Sequence, residues 1–254
     1  MKRFSLTGIA ITHSRSPLLF EAAYHGKYAY GLMPAATAAA ALRLYEEQGL
    51  SGMNVTTPFK ETILPYIDDV DKYVQMTGAT NIVQRRANRW VAYNSDVYGA
   101  TGSLHDAGVS LGNAACLVLG WGGAARAAVS GLVEAGARIT AANRTIDKIK
   151  AMNSSLPVEI LPFDEALVQT KKYTVIVNAL PPIPALAERI KIHSGQVVLE
   201  ADYACGALRD ITRNAGALYI DGKQWLLHQA IPAFRLFTGE EPDIPAMRLI
   251  TNNE

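Results

Sequence analysis

The sequence of 254 residues has only two cysteines, Cys116 and Cys205, and lacks any long uninterrupted apolar run. A membrane-spanning helix needs roughly 18 or more consecutive apolar residues, so we expect no membrane partner. Two thiols are too few for a framework of disulfides, and they suit a reducing compartment. These two shortages predict a cytoplasmic protein.

The sequence also lacks an excess of positive or negative charge. Lysine and arginine number 24 against 23 acidic residues, which gives a net charge of +1. Nucleic-acid-binding domains carry a basic excess, so no nucleic-acid partner is expected, and a small neutral or anionic ligand fits better. Hydrophobic residues make up 49% of the chain, enough for a buried core, and the length favours two domains. We expect no metal site.

Apolar runs and helix signals alternate in the first third of the chain. Residues 4–12 are predicted to form a strand, and residues 17–29 a helix with Ser16 as its N-cap. The alanine-rich segment 35–48 predicts a second helix, and "GMNVT" at 52–56 predicts the next strand. The two βα units place the beginning of the chain in the α/β class.

The later segments continue this alternation. Two strands are expected on either side of the polar turn "RRANR" at 85–89, followed by a helix over 97–107. From 114 to 145 the order of strand, glycine loop, helix and strand is typical of a βαβ unit. Strands are also predicted in "YTVIVNALP" and "QVVLEADY", and the tail "KQWLLHQAIPAFRLFTG" predicts an amphipathic helix containing Pro232.

The glycine loop of the βαβ unit has the context of a dinucleotide site. Gly120, Gly122 and Gly123 directly follow an apolar strand and precede a helix of small residues, where backbone amides can face a pyrophosphate. An ordinary tight βα turn is the alternative. The end of the next strand favours the cofactor site over the ordinary turn. In an NAD site that strand ends in an acid that binds the ribose, whereas here it is followed by Asn143, Arg144 and Thr145. A guanidinium there favours a 2′-phosphate, and therefore NADP.

Short motifs along nearly the whole chain resemble those of the shikimate dehydrogenases, and they occur in the same order. The motifs are "HSRSP", "NVTTPFKE", "GATN", "NSD", "LGWGGAARA", "NRT" and "NALP". The resemblance implies an N-terminal α/β substrate domain (1–98), a Rossmann-type NADP-binding domain (99–222) and a C-terminal helical segment (223–254) that returns to the first domain. It also implies reversible, NADP-dependent reduction of 3-dehydroshikimate to shikimate, in aromatic amino-acid and chorismate biosynthesis, by a monomer or homodimer.

Lys60, the lone cation of "NVTTPFKE", suits the chemistry of ketone reduction. The oxygen of the ketone must receive a proton as it becomes an alkoxide, and a lysine ammonium in a partly dry cleft can donate it. An acid such as Asp96 within hydrogen-bond reach would keep that lysine charged. By resemblance, Lys60 and Asp96 match the catalytic pair of the family.

The remaining site residues are expected from the motifs. Ser14 and Ser16, two residues apart, can present both hydroxyls to one carboxylate if the segment stays extended, although Ser16 could serve only as a helix cap. By resemblance, the other substrate-binding residues are Asn54, Thr56, Asn81, Asn94, Tyr203 and Gln229. By resemblance, the cofactor-binding set comprises Gly120, Gly122, Gly123, Ala124, Asn143, Arg144, Thr145, Asn178, Ala179 and Gly222.

A few positions depart from the family pattern. Trp121 stands between the loop glycines, where it could crowd the pyrophosphate or point outward, and Gln224 and Trp225 replace a glycine and a methionine. These departures leave open an enzyme of relaxed shikimate and quinate specificity. A non-catalytic sensor that binds shikimate or NADP is the other alternative, but such a sensor has no need for the proton donor Lys60.

Overall fold

The computed structural model describes residues 1–147, 156–181, 183 and 185–252. These residues form two compact units. The first contains Met1–Ser95 together with Gln229–Glu254, and the second contains Asp96–His228. Each unit has its own six-stranded sheet, which confirms the predicted α/β class. Among the described residues, no helix is both long and apolar enough to cross a membrane.

The sheet of the first unit is mixed, with the strand order β2-β1-β3-β5-β6-β4. Its strands are β1 (Arg3–Gly8), β2 (Ala29–Pro34), β3 (Gly52–Val55), β4 (Asp69–Val70), β5 (Ile82–Arg86) and β6 (Arg89–Tyr93). Strand β1 pairs in parallel with both β2 and β3, whereas β5 runs antiparallel to β3 and β6. The helices that accompany these strands are α1 (Ser16–Tyr24), α2 (Ala38–Glu47), α3 (Phe59–Thr62) and α4 (Lys72–Thr77).

The helix predicted over 17–29 is wrong in its second half. Helix α1 ends at Tyr24, because His25 and Gly26 adopt positive φ values of 49° and 76° and reverse the chain. The residues that follow form the edge strand β2, which was not predicted from the sequence. The first strand is also shorter than predicted, since β1 ends at Gly8.

The sheet of the second unit is entirely parallel, in the order β12-β11-β10-β7-β8-β9. Its strands are β7 (Ala115–Leu119), β8 (Arg138–Asn143), β9 (Val158–Pro162), β10 (Val175–Asn178), β11 (Val197–Glu200) and β12 (Leu218–Ile220). The strand order reverses between β7 and β10, and that reversal is where Rossmann folds bind dinucleotides. Helices α5 (Asp96–Asp106) and α6 (Gly123–Glu134) pack in this unit, followed by α7 (Phe163–Val168), α8 (Leu186–Arg189) and α9 (Arg209–Asn214).

Two helices close the described chain, α10 (Gly222–Thr238), with Pro232 inside it, and α11 (Ile244–Asn252). The part of α10 from Gln229 onward belongs to the first unit. There Phe237 stacks on Phe4 with ring centroids 5.1 Å apart, and Phe234 meets Phe20 edge-on at 4.7 Å. Aromatic packing of this kind ties the C-terminal segment into the core of the first unit.

Candidate active site

The two serines of "HSRSP" lie together in the first unit. Ser14 Oγ donates to Ser16 Oγ over 3.2 Å, and the Ser16 amide donates back to Ser14 Oγ over 3.2 Å. Arg15 is the N-cap residue of α1 and Ser16 is the first helical residue, so Ser16 is not the helix cap that was the alternative expectation. Both hydroxyls thus lie together, but the segment is not extended as the prediction required, because Arg15 between them has helical φ and ψ values of −86° and −2°.

A chain of hydrogen bonds connects this region to the strand before the lysine motif. Tyr30 Oη, on β2, donates to Asn54 Oδ1 at 2.7 Å, and Asn54 Nδ2 donates to the carbonyl of Asn81 at 3.1 Å. Burial raises the pKa of the Tyr30 phenol, and a side-chain hydrogen bond with Ser16 opposes that rise. Tyr30 is therefore a neutral hydroxyl between a serine and an amide.

Asn81 joins three segments of the first unit. Its Nδ2 donates to Ser95 Oγ at 2.9 Å and to Gln229 Oε1 at 3.0 Å, while its Oδ1 accepts from the Ser95 amide at 2.8 Å. Ser95 directly precedes Asp96, the buried first residue of α5. Asn81 thus fixes both the residue before Asp96 and the predicted hydroxyl contact on α10.

The lysine motif is held by backbone contacts at the end of β3. The Thr56 amide donates to the Thr7 carbonyl at 3.0 Å, and the Lys60 carbonyl accepts from the Thr80 amide at 2.8 Å. Gly8 makes room for this turn, because a Cβ on Gly8 would lie 2.6 Å from Thr56 Cγ2. Lys60 itself is half-buried, in the short helix α3.

Asn94 is buried deeply and donates its amide hydrogens to protein atoms. Nδ2 contacts Thr77 Oγ1 at 3.1 Å and the Ala79 carbonyl at 2.9 Å. Its backbone amide donates to Asp71 Oδ2 at 3.4 Å. Burial raises the pKa of Asp71, and the hydrogen bond from the Val74 amide lowers it in part. The side-chain nitrogen of Asn94 therefore serves the fold around the substrate motifs.

In the second unit, the glycine loop has the geometry of a phosphate cradle. Gly120 has φ of 105°, and an added Cβ would lie 3.1 Å from the carbonyl oxygen of Ala179, so a side chain is excluded. Gly122 is exposed, and its added Cβ would meet nothing within 4 Å. It is the extended N-cap residue of the 12-residue helix α6 and has no side chain to cap the first amides, which leaves them available to an anion.

The end of the neighbouring strand β8 presents polar groups. Arg144 and Thr145 are exposed, and Asn143 Nδ2 donates to the Thr145 carbonyl at 3.3 Å. Strand β8 ends in Asn143, where an NAD site has an acid. Residues of this type fit the 2′-phosphate of NADP, and the glycine loop fits its pyrophosphate, so the residues present suit the cofactor that the sequence implies.

Asn178 and Gly222 are fixed by close contacts in the same unit. Asn178 Nδ2 donates to the buried carboxylate of Glu200 at 3.0 Å, and the Ala179 amide donates to the Leu119 carbonyl at 3.0 Å. An added Cβ on Gly222 would lie 2.5 Å from the carbonyl carbon of Asp202. Gly222 therefore lets the start of α10 contact the backbone next to Tyr203, which is half-buried.

Ala124, the second residue of α6, is half-buried too.

The two unusual tryptophans pack into one apolar core cluster of the second unit. Trp121 and Trp225 are both 4% exposed and belong to the same cluster as Ala100 and Leu199. Trp225 lies over Gly99, where an added Cβ would come within 2.4 Å of Trp225 Nε1. Trp121 thus does not point outward into solvent, which was one of its two expected positions. Gln224 is half-buried beside Trp225.

Sequence reasoning missed several residues that shape these sites. Tyr30 lies on the strand that was not predicted, so its contact with Asn54 could not be foreseen. Gly8 carries no chemistry, and only its close approach to Thr56 reveals its role. Glu200 ends an otherwise apolar strand, and its carboxylate accepts from both Asn178 and Tyr219. Ser95 could have been found from the sequence, because it is the middle residue of the motif "NSD".

Comparisons with known proteins agree with this geometry. The family model described as "Shikimate dehydrogenase substrate binding domain" matches residues 6–83. A protein of Haloarcula marismortui named "Shikimate dehydrogenase (NADP(+))" is 32% identical, over 97% of each chain.

Two solved structures cover almost the whole chain. Shikimate dehydrogenase from Aquifex aeolicus gives a TM-score of 0.88 at 27% identity, covering 100% of this chain and 98% of the other. The enzyme from Thermus thermophilus, solved "in complex with NADP(H) and shikimate", gives 0.85 at 29% identity, covering 99% and 98%. With its substrate-domain match, its full-length relatives and its parallel second sheet, this chain belongs to the shikimate dehydrogenase family.

Proposed function

We propose that the protein is an NADP-dependent shikimate dehydrogenase, an oxidoreductase that reversibly reduces 3-dehydroshikimate to shikimate. The observation that carries the proposal is the polar network of the first unit. In it the hydroxyls of Ser14 and Ser16 contact each other, and hydrogen bonds join Asn54 to Asn81 and Asn81 to Gln229. Such a group of neutral hydrogen-bonding side chains suits a ring that carries a carboxylate and several hydroxyls. The second unit supplies a matching dinucleotide loop.

Ser14 and Ser16 are the proposed carboxylate site. Each hydroxyl can rotate its hydrogen toward an anion, and the 3.2 Å contact between the two oxygens sets them at a spacing that one carboxylate can bridge. Asn54, Thr56, Asn81, Asn94, Tyr203 and Gln229 are the proposed contacts to the ring and its hydroxyls. Hydrogen bonds to charged acceptors are the stronger ones, so the serines should contribute most to substrate affinity.

Lys60 and Asp96 are the proposed catalytic residues. In the reduction, the Lys60 ammonium donates a proton to the ketone oxygen as the carbonyl carbon becomes tetrahedral, and in the oxidation the lysine takes the proton back. The Asp96 carboxylate favours the charged form of the lysine and can accept a hydrogen bond from the reacting hydroxyl. When bound, NADPH supplies the hydride for the carbonyl carbon.

The cofactor residues have separate proposed tasks. Gly120, Gly122, Gly123 and Ala124 hold the pyrophosphate with backbone amides, and Asn143, Arg144 and Thr145 recognise the 2′-phosphate. Asn178, Ala179 and Gly222 are the remaining proposed cofactor contacts. We place the enzyme in the cytoplasm, in chorismate and aromatic amino-acid biosynthesis, in keeping with its two free cysteines.

A spectrophotometric assay tests the proposal. Purified protein is mixed with shikimate or quinate and with NADP or NAD, and reduced cofactor is followed at its absorbance maximum. We expect the shikimate and NADP pair to give the highest kcat/KM. Comparable values for quinate would favour the enzyme of relaxed specificity, and tight shikimate binding without turnover would favour a sensor.

A further inference from the structure

Tyr30 is a half-buried tyrosine whose hydroxyl has two polar neighbours, and the proposed function assigns it no role. It lies on the edge strand β2, and its ring packs against Phe20 with centroids 4.8 Å apart. Its hydroxyl contacts Asn54 Oδ1 at 2.7 Å, the usual length of a well-formed O–H···O hydrogen bond. The ring therefore holds the oxygen firmly against the side chain of one proposed substrate residue.

The direction of this hydrogen bond follows from its partner's chemistry. Asn54 Nδ2 faces the carbonyl of Asn81 at 3.1 Å, and only the nitrogen of the amide can donate to a carbonyl. The oxygen of Asn54 therefore faces Tyr30, so the single phenolic hydrogen is donated to it. The two contacts fix the same orientation of the amide from opposite sides.

A fixed amide presents one kind of group to a ligand. Nδ2 has two hydrogens, and the bond to Asn81 uses one of them. The second hydrogen is the part of Asn54 that remains for a substrate oxygen, whether of a carboxylate or of a ring hydroxyl. A rotated amide would turn its oxygen toward that same acceptor, and the two oxygens would repel each other.

We infer that Tyr30 is a positioning residue for substrate binding, which holds the Asn54 side chain with its N–H toward the ligand. This inference rests on the proposed function, because it takes Asn54 as a substrate contact. Tyr30 does not touch the reacting atoms. It lowers the cost of ordering Asn54 when the substrate binds, which is the benefit of a preorganised site.

The substitution Tyr30→Phe tests the inference, since it removes one oxygen and keeps the packing of the ring. We expect the Kd for shikimate, measured by calorimetry, to rise about three- to tenfold, the range for loss of a neutral hydrogen bond. The KM for shikimate should rise in parallel, while kcat stays within about twofold. Affinity for NADP should not change.

Tyr24→Phe is the matched control. The Tyr24 hydroxyl, also in the first unit, accepts from Thr238 Oγ1 at 2.9 Å and donates to the Glu240 carbonyl at 3.1 Å. Its loss should lower the melting temperature and leave shikimate affinity unchanged. A purely structural role for Tyr30 would make the two variants behave alike.

A double-mutant cycle tests whether Tyr30 affects substrate binding through Asn54. In an Asn54→Ala background, Tyr30→Phe should change the Kd for shikimate less than about twofold, because the side chain that it positions is gone. An equal loss in both backgrounds, or no loss in either, would overturn the inference while the proposed function stands. A parent protein that neither binds nor oxidises shikimate would instead overturn the proposed function.

Discussion

Asn81 Nδ2 donates to Gln229 Oε1 at 3.0 Å, so two residues 148 positions apart in sequence share one hydrogen bond within the first unit. This bond sets the orientation of the Gln229 amide. Its oxygen faces Asn81, so Nε2 is the donor end of the Gln229 side chain, the end suited to a hydroxyl oxygen.

The substitution Gln229→Ala should therefore weaken shikimate binding. We expect the KM to rise about three- to tenfold, as for a neutral hydrogen bond, with a smaller change in kcat. Gln84→Ala is the control, since Gln84 is a buried glutamine of the same unit that bonds instead to the Ser51 carbonyl. Steady-state kinetics with varied shikimate would measure both, and an unchanged KM in the Gln229 variant would remove this residue from the substrate site.

Lys60→Ala should lower kcat about 10²- to 10⁴-fold, the usual contribution of a general acid, with NADPH binding intact by fluorescence. Lys72→Ala, which removes an exposed lysine of the same unit, should have little effect. Asp96→Asn should also lower kcat and change the shape of its pH profile. Retention of more than about a tenth of parental kcat by Lys60→Ala would exclude it as the acid.

Arg144→Ala should weaken NADP binding by about 1.5 to 3 kcal/mol, the contribution of a charged hydrogen bond, and leave NAD binding unchanged. Arg138→Ala is the matched control, because Arg138 is an exposed arginine that begins the strand β8. Titration calorimetry with both cofactors would measure the change. Equal losses for NADP and NAD would contradict recognition of the 2′-phosphate.

Thr7→Val should stabilise the protein. Within the described residues, the fully buried Thr7 Oγ1 has no hydrogen-bond partner, and a buried unsatisfied hydroxyl costs about 1 to 3 kcal/mol. Thr80→Val makes the same change at a fully buried threonine that bonds to the Ile82 and Tyr93 carbonyls, and it should destabilise. Urea unfolding would give the free energy of unfolding of both variants, and a decrease in both would contradict the prediction.

The two cysteines should differ sharply in reactivity. Cys116 is fully buried, and burial raises the pKa of its thiol to about 12, whereas Cys205 is exposed. A thiol reagent should label one cysteine per folded chain and two in denaturant. Because the folded pKa exceeds the unfolded value, the thiol's contribution to stability is fully present below about pH 9 and falls as the pH rises further. Rapid labelling of both thiols in folded protein would contradict this.

Local patterns predicted four of the six strands in each unit, and missed β2 and β4 in the first and β9 and β12 in the second. Strand β7, its glycine loop and α6 follow one another along the chain, so the whole pattern is local. The loop position that needs a positive φ is occupied by a glycine, Gly120, which is visible in the sequence. Strand β2 is a short edge strand without strict alternation of buried residues, so its sequence carries no period-two signal. The partners of Tyr30 and Asn81 lie far away in sequence, and only the tertiary structure reveals such contacts.

The division of the chain has a consequence for its synthesis. The first unit needs residues from both ends of the described chain, because Phe4 and Phe20 pack on Phe237 and Phe234 of α10. The second unit is continuous, and it emerges from the ribosome before α10 is complete. During translation the nascent chain must therefore hold an incomplete aromatic core while Asp96–His228 folds, and release of the last helices is the step that completes it.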